Sequence, residues 1–440
     1  MNDLQRQLSD LLKAGVGDPP ARVTVHSVRR RRAQRNLVAA AGAGVAIALV
    51  AAVSAGLSGR LAHPGPVTSP TVAPAPVPCR PGWSVGAGAA PAGDSQDSLS
   101  ALAGPAFDDL WAVGYRFPHH SEKVFPLLEH WDGRRWAYSA GASLGGRQAE
   151  LKSVAAPAPD DVWAIGYFMP AGRPLIEHWN GRYWSLQQTD ALSRWKSLSG
   201  EILVSVAAVS PSNVWVLGYP DTSSPDGNLH WDGTSWHLIT GPNILPHFGS
   251  AAMQVLATDR LGGFWAVGGT IRGNGEAGRP GRGIVERWSG RQWEVDRRYG
   301  WKEPLTMVAP VTPNDMWAIA GGYFTTSGTY GIGPVEVLHW NGSTWRVALN
   351  LGGTASVDPT GLGATSANDV YVMGRSARTY RPFIDRWNGS RWQSMPLGPA
   401  GPAHHSGSDG ESLTVTSDGS IAALDSQGLT DRTNYLWLKC

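Results

Sequence analysis

Six times the chain writes a tryptophan, a turn dipeptide and a second tryptophan five residues after the first. The copies are EHWDGRRW (129–136), EHWNGRYW (177–184), LHWDGTSW (229–236), ERWSGRQW (286–293), LHWNGSTW (338–345) and DRWNGSRW (385–392). Asp-Gly, Asn-Gly or Ser-Gly between apolar runs is a strong short-range hairpin signal, because such turns need positive φ that few residues tolerate. Each copy follows a second motif: DDLWAVGY, DDVWAIGY, SNVWVLGY, GGFWAVGG, NDMWAIAG and NDVYVMGR. The aromatics of that motif, Trp111, Trp163, Trp215, Trp265, Trp317 and Tyr371, are spaced 52, 52, 50, 52 and 54 residues apart. One such unit cannot bury its own faces, so units stack, and a period near fifty predicts an all-β fold, a β-propeller.

Each unit reads as four strands: a small apolar run such as SVAAPAP, then VWAIG, then PLIEHW, then a short strand from the second tryptophan. A seventh unit emerges when the ends are joined. ESLTVTSD, GSIAALD and NYLWLKC (411–440) supply three strands and CRPGWSV (79–85) the fourth, with Trp437 and Trp83 in the places of the paired tryptophans. Nineteen of 21 tryptophans lie at repeat positions, Trp195 and Trp301 being outside, so the tryptophans are expected in blade packing. The two cysteines, Cys79 and Cys440, meet where the other blades have their turn, and a disulfide there would close the ring.

The N-terminal part differs in kind. Residues 1–36 carry eight Lys/Arg against three Asp, leaving about −3 of the +2 total for the rest, so the larger part is no polyanion binder by charge and no nucleic acid is expected as a partner. Residues 37–59 hold no charge over 23 positions, enough to cross a bilayer as a helix. The basic run RRRRAQR before them places residues 1–36 in the cytoplasm and the rest outside, at the plasma membrane. A secreted protein is the alternative, since Val53-Ser54-Ala55 has the spacing of a signal cleavage site. DLQRQLSDLLK puts Leu4, Leu8, Leu11 and Leu12 on one helical face, and residues 60–78, with six prolines, read as a semi-extended linker. The expected domains are thus a basic cytoplasmic tail (1–36), a transmembrane helix (37–59), an extracellular linker (60–78) and a seven-bladed propeller (79–440).

Residues 79–440 resemble the kelch and galactose-oxidase-like β-propeller superfamily. WAVGG (265–269) is similar to that family's second strand with its double glycine, and VERWSGRQW (285–293) to its aromatic-turn-Trp hairpin. Closer still is the resemblance to the WAVG/HWNG-repeat propellers on secreted and membrane proteins of high-GC bacteria. The resemblance implies fold and says nothing of chemistry.

No catalytic constellation stands out. Galactose oxidase-type chemistry needs a cysteine cross-linked to tyrosine, and both cysteines are taken by the ring closure. Sialidase-type turns separate Asp and Gly by one residue, whereas here they adjoin. The histidines of the HW dipeptide (His130, His178, His230, His339) give way to Arg287 and Arg386 in two blades, and a metal ligand does not alternate with a cation. His119-His120 and His404-His405 read as surface loop. No cofactor, metal or enzymatic activity is expected.

Because the repeats are internal, blades can be compared. The turn entering WAVG and the tryptophan hairpin are nearly constant and lie on one face. Loops after WAVG and connections between blades vary and build the other, where function on a scaffold concentrates. Candidate ligand-binding residues there are Tyr115, Tyr167, Tyr219, Arg272, Tyr323, Arg375 and Tyr380, with Trp195 and Trp301 from inter-blade connections. The expectation is a membrane-anchored extracellular binding module for cell-wall glycan or a protein ligand. The alternatives are a glycan-active hydrolase or lyase, and a sensor relaying through the cytoplasmic tail.

Overall fold

The computed structural model describes residues 82–87, 94–118, 121–170, 172–187, 203–218, 227–240, 250–272, 279–325, 329–353, 357–379, 381–395, 411–426 and 433–439. Within them lie seven four-stranded antiparallel sheets. Blade 1 runs outward from Asp94–Ala106 through Asp109–Pro118 and Phe125–Trp131 to Trp136–Tyr138. The innermost strands of blades 2 to 7 are Ala149–Ala158, Leu203–Ser210, Ser250–Thr258, Leu305–Thr312, Val357–Ser366 and Glu411–Val415. Each touches the innermost strand of the next, and that of blade 7 touches that of blade 1. The protein is a closed seven-bladed β-propeller.

The seventh blade joins the chain's two ends as the sequence predicts. Gly82–Ala87 pairs with Thr433–Lys439, and Trp83 stands opposite Trp437 just as Trp131 stands opposite Trp136. Cys79 and Cys440 lie outside the described residues, as do residues 1–81 altogether, the proposed span 37–59 among them. Among the described residues no helix is long and apolar enough to cross a membrane.

Packing between blades uses the repeat's aromatics. The second-strand tryptophan of one blade meets both hairpin tryptophans of the next: Trp111 lies 5.3 Å from Trp179 and 5.2 Å from Trp184, Trp163 5.5 Å from Trp231 and 5.4 Å from Trp236. Tyr371 meets Trp437 at 5.9 Å, carrying the pattern into blade 7. Between blades 4 and 5 Tyr299 intervenes, 5.5 Å from Trp265 and 4.5 Å from Trp340. Tilted and edge-on rings suit the aromatic quadrupole while burying large apolar area, the main source of stability here.

Two local devices explain the motif residues. In WAVG the glycine faces a register shift of the innermost strand, at Leu99/Ala101 and Leu151/Ser153. A Cβ on Gly114 or Gly166 would overlap the carbonyl of Ser98 or Glu150, so only glycine fits. The tryptophan hairpin is wider than the two-residue turn that its dipeptide suggests: Trp131 pairs with Trp136 across four residues. The Asp132 carboxylate closes it by accepting from the main chain of Arg134 and Arg135, both at 2.9 Å, while Gly133 takes φ 84.

Candidate functional site

Most chemically eligible side chains of the repeat are committed to the scaffold. His130 Nε2 lies 2.8 Å from Asp109 Oδ1 and its ring stacks on Trp111 at 4.4 Å. His178 with Asp161 and His339 with Asp315 repeat this at 2.6 and 3.0 Å, stacked on Trp163 and Trp317, and His230 pairs with Asn213 at 3.0 Å. In blade 6, Arg386 takes the histidine's place, bonding Asp369 at 2.7 Å. In blade 4 the carboxylate has moved four residues upstream: Asp259 accepts from Trp265 Nε1 at 2.9 Å, with Arg287 over the same ring. The HW position therefore accommodates histidine or arginine because either covers an aromatic face, and in blades 1, 2, 3, 5 and 6 it also bonds an acceptor.

Where the repeat breaks, polar side chains stand at the sheet ends opposite the short turns, each group within its own blade. Tyr115, Tyr167 and Arg375 occupy one equivalent rung at the outer end of the second strand, facing Ser98, Glu150 and Asp358 across the sheet. Tyr167 is buried, its hydroxyl donating to Glu150 Oε2 at 2.9 Å; Lys152 pairs with the same carboxylate and lies 5.7 Å from the tyrosine ring. Tyr115 is half-buried, edge-on to Phe117 at 5.6 Å. Arg375 Nε stands 3.8 Å from Asp358 Oδ2; burial pushes the Asp358 carboxyl up, and the guanidinium only partly offsets this.

The other candidates do not join this rung. Trp301 sits half-buried in the connection from blade 4 to blade 5, its carbonyl accepting from Gly283 at 3.0 Å, beneath Lys302. Arg272 and Tyr323 lie on paired backbone opposite Arg279 and Gly331, and their side chains are outside the described set. Tyr219, Tyr380, Trp195, His119-His120 and His404-His405 also lie outside it. Sequence reading missed Glu150, Lys152 and Asp358, and no simple signal marks them, because the innermost strands of blades 1 and 7 also open on polar residues, DSQDS and ES.

The channel holds a cavity of about 720 Å³. Its wall is mostly small and aliphatic, including Ala103, Ala155, Ala207, Ala257, Ala309 and Gly363 from six blades. Among the described residues, the charged ones lining it come from two turns, Asp259 and Arg260 in blade 4 and Asp418 in blade 7.

No protein-family model matches the chain, and no curated protein is similar to it in sequence. Among solved structures, Sqt1 from Chaetomium thermophilum is similar at 12% identity and a TM-score of 0.44, covering 79% of this chain and 97% of that one. The SapL1 lectin in complex with alpha methyl fucoside is similar at 13% and 0.40, covering 69% and 97%. The GH74 enzyme of Niastella koreensis is similar at 10% and 0.40, covering 75% of this chain and 62% of that one. At this level the likenesses bear on neither ligand nor chemistry, and the propeller assignment rests on the seven sheets themselves.

Proposed function

We propose that the chain is a non-catalytic binding module, a kelch-like propeller held outside the cell by residues 37–59 as a single membrane span, with a hydroxyl-rich glycan as its ligand. The span reading is supported by 23 uncharged residues behind an arginine run. The binding reading is carried by the polar rung: Glu150 with Tyr167 and Lys152, and Asp358 with Arg375, are the groups by which individual blades depart from the repeat. Carboxylates and guanidinium groups hold two hydrogen bonds each in a plane, which matches neighbouring sugar hydroxyls, and their mutual contacts hold them in place before ligand arrives.

The test is retention of the full chain on insoluble cell-wall polysaccharide and on a glycan array, with mass analysis of the glycan afterwards. The expected result is saturable retention of intact glycan, weakened roughly tenfold by Glu150→Gln or Arg375→Gln, the loss of one charge-assisted hydrogen bond. Shortened glycan would instead make the protein an enzyme. No retention on any glycan would make the ligand a protein.

A further inference from the structure

The turn from innermost to second strand is two residues long in blades 1, 2, 3, 5 and 6, and five residues long in blades 4 and 7. The two long turns, DRLGG (259–263) and TSDGS (416–420), adopt one conformation from different sequences. In each, the first residue's N–H donates to the fifth residue's carbonyl at 2.9 Å, and the fourth residue is a glycine at φ 82 or 86 that bonds back to the first. Each also leans on its neighbour: Arg260 N donates to Val311 O of blade 5, and Asp418 N to Pro105 O of blade 1. Both turns are therefore built loops held in place at three points.

Blades 4 and 7 stand three places apart in a ring of seven, so these turns occupy opposing walls of the cavity. One presents Arg260, the other Ser417 and Asp418, all three exposed, with Asp418 Oδ1 also accepting from Ser420 N and Thr416 Oγ1 of its own turn. Asp259 is already occupied by bonds from Leu261 N, Gly263 N and Trp265 Nε1, which leaves Arg260 as the turn's outward charge. Between the walls lie alanine, valine and proline, and among the described residues no aromatic ring lines the cavity for a sugar to stack on. The innermost strands also end their sheets, so their outer edge faces the channel.

We infer that this mouth of the channel is a second ligand site, for a short peptide held at both ends: its carboxylate by Arg260 and its amino group by Asp418 and Ser417. An arginine fork takes a carboxylate bidentately, a carboxylate takes an ammonium, and an aliphatic wall suits small apolar side chains. The site is independent of the polar rung at the opposite sheet ends.

The experiment titrates the full chain with trialanine, its C-terminal amide and its N-acetyl form, followed by calorimetry. Trialanine is expected to bind saturably, with either blocked form at least tenfold weaker. Arg260→Gln should abolish the difference between acid and amide, and Asp418→Asn the difference between free and acetylated amine. Both residues are exposed, and unchanged thermal melts of the variants confirm that the fold is kept. Absence of saturable trialanine binding, or binding that neither variant alters, overturns the proposal. Glycan retention reports on Glu150 and Arg375 only, so the two readings fail separately.

Discussion

Lys439, in the chain's last described strand, donates to Asp369 Oδ2 of the preceding blade at 2.7 Å across 70 residues of sequence. Asp369 also accepts from Arg386, Tyr371 and Thr365, so one carboxylate ties the closing blade to its neighbour. Burial works against its ionisation, and the bonds from Lys439, Thr365, Arg386 and Tyr371 outweigh this, bringing its pKa down to about 2.

This network predicts an acid limb of stability. A folded-state pKa below the ordinary 3.8 contributes stability that is present above 3.8 and lost as pH falls towards 2. Asp369→Asn should cost about 1–3 kcal/mol at pH 7, leaving two cations without their partner. Melting temperatures of wild type and variant should converge between pH 4 and 2, and parallel curves would refute the assignment.

Glu177 predicts the opposite slope. It is buried where blades 1 and 2 meet, with one oxygen accepting from Ala142 N at 2.8 Å, and burial pushes its carboxyl up to about 7. The folded protein then holds a proton that the unfolded chain releases above 4.5, so stability falls as pH rises from 4.5 to 7, by about 3 kcal/mol at most. Glu177→Gln should flatten that limb and melt higher than wild type at pH 8.

Serine side chains stitch neighbouring innermost strands together. Ser412 accepts from Leu102 N at 3.2 Å, Ser153 from Val206 N at 3.2 Å, and Ser205 from Leu256 N at 3.0 Å. Ser205→Ala removes a buried acceptor and should cost about 1 kcal/mol or slightly more in denaturant unfolding, with unchanged m-value. A neutral outcome would mean that the Leu256 amide finds another acceptor in the channel.

A disulfide between Cys79 and Cys440 is the remaining stability prediction. Gly82 pairs with Leu438, three residues after one cysteine and two before the other in sequence. Alkylation followed by intact mass should label neither thiol before reduction and both after it, and the bond should add up to about 5 kcal/mol on the chain-entropy account. Labelling of both thiols in unreduced, oxidised protein would exclude the bond.

Blade number, strand order and ring closure were legible from the sequence because their causes are local. Short apolar runs, turn dipeptides and a fifty-residue spacing act within a blade, and counting them reaches seven only when Trp83 and Trp437 are joined. Side-chain fate was not legible, because it depends on what other strands bring. Tyr115 and Tyr167 end the same motif, yet one faces Ser98 and stays half-buried while the other is covered by Glu150 and Lys152. The carboxylate that serves Trp265 sits at Asp259, out of the repeat's register, where only the folded turn shows that it does the work of Asp161. Arg260 and Asp418 share a cavity only because the ring sets blades 4 and 7 across the channel from each other. Local chemistry determined the repeat, and closure of the ring decided which of its departures meet.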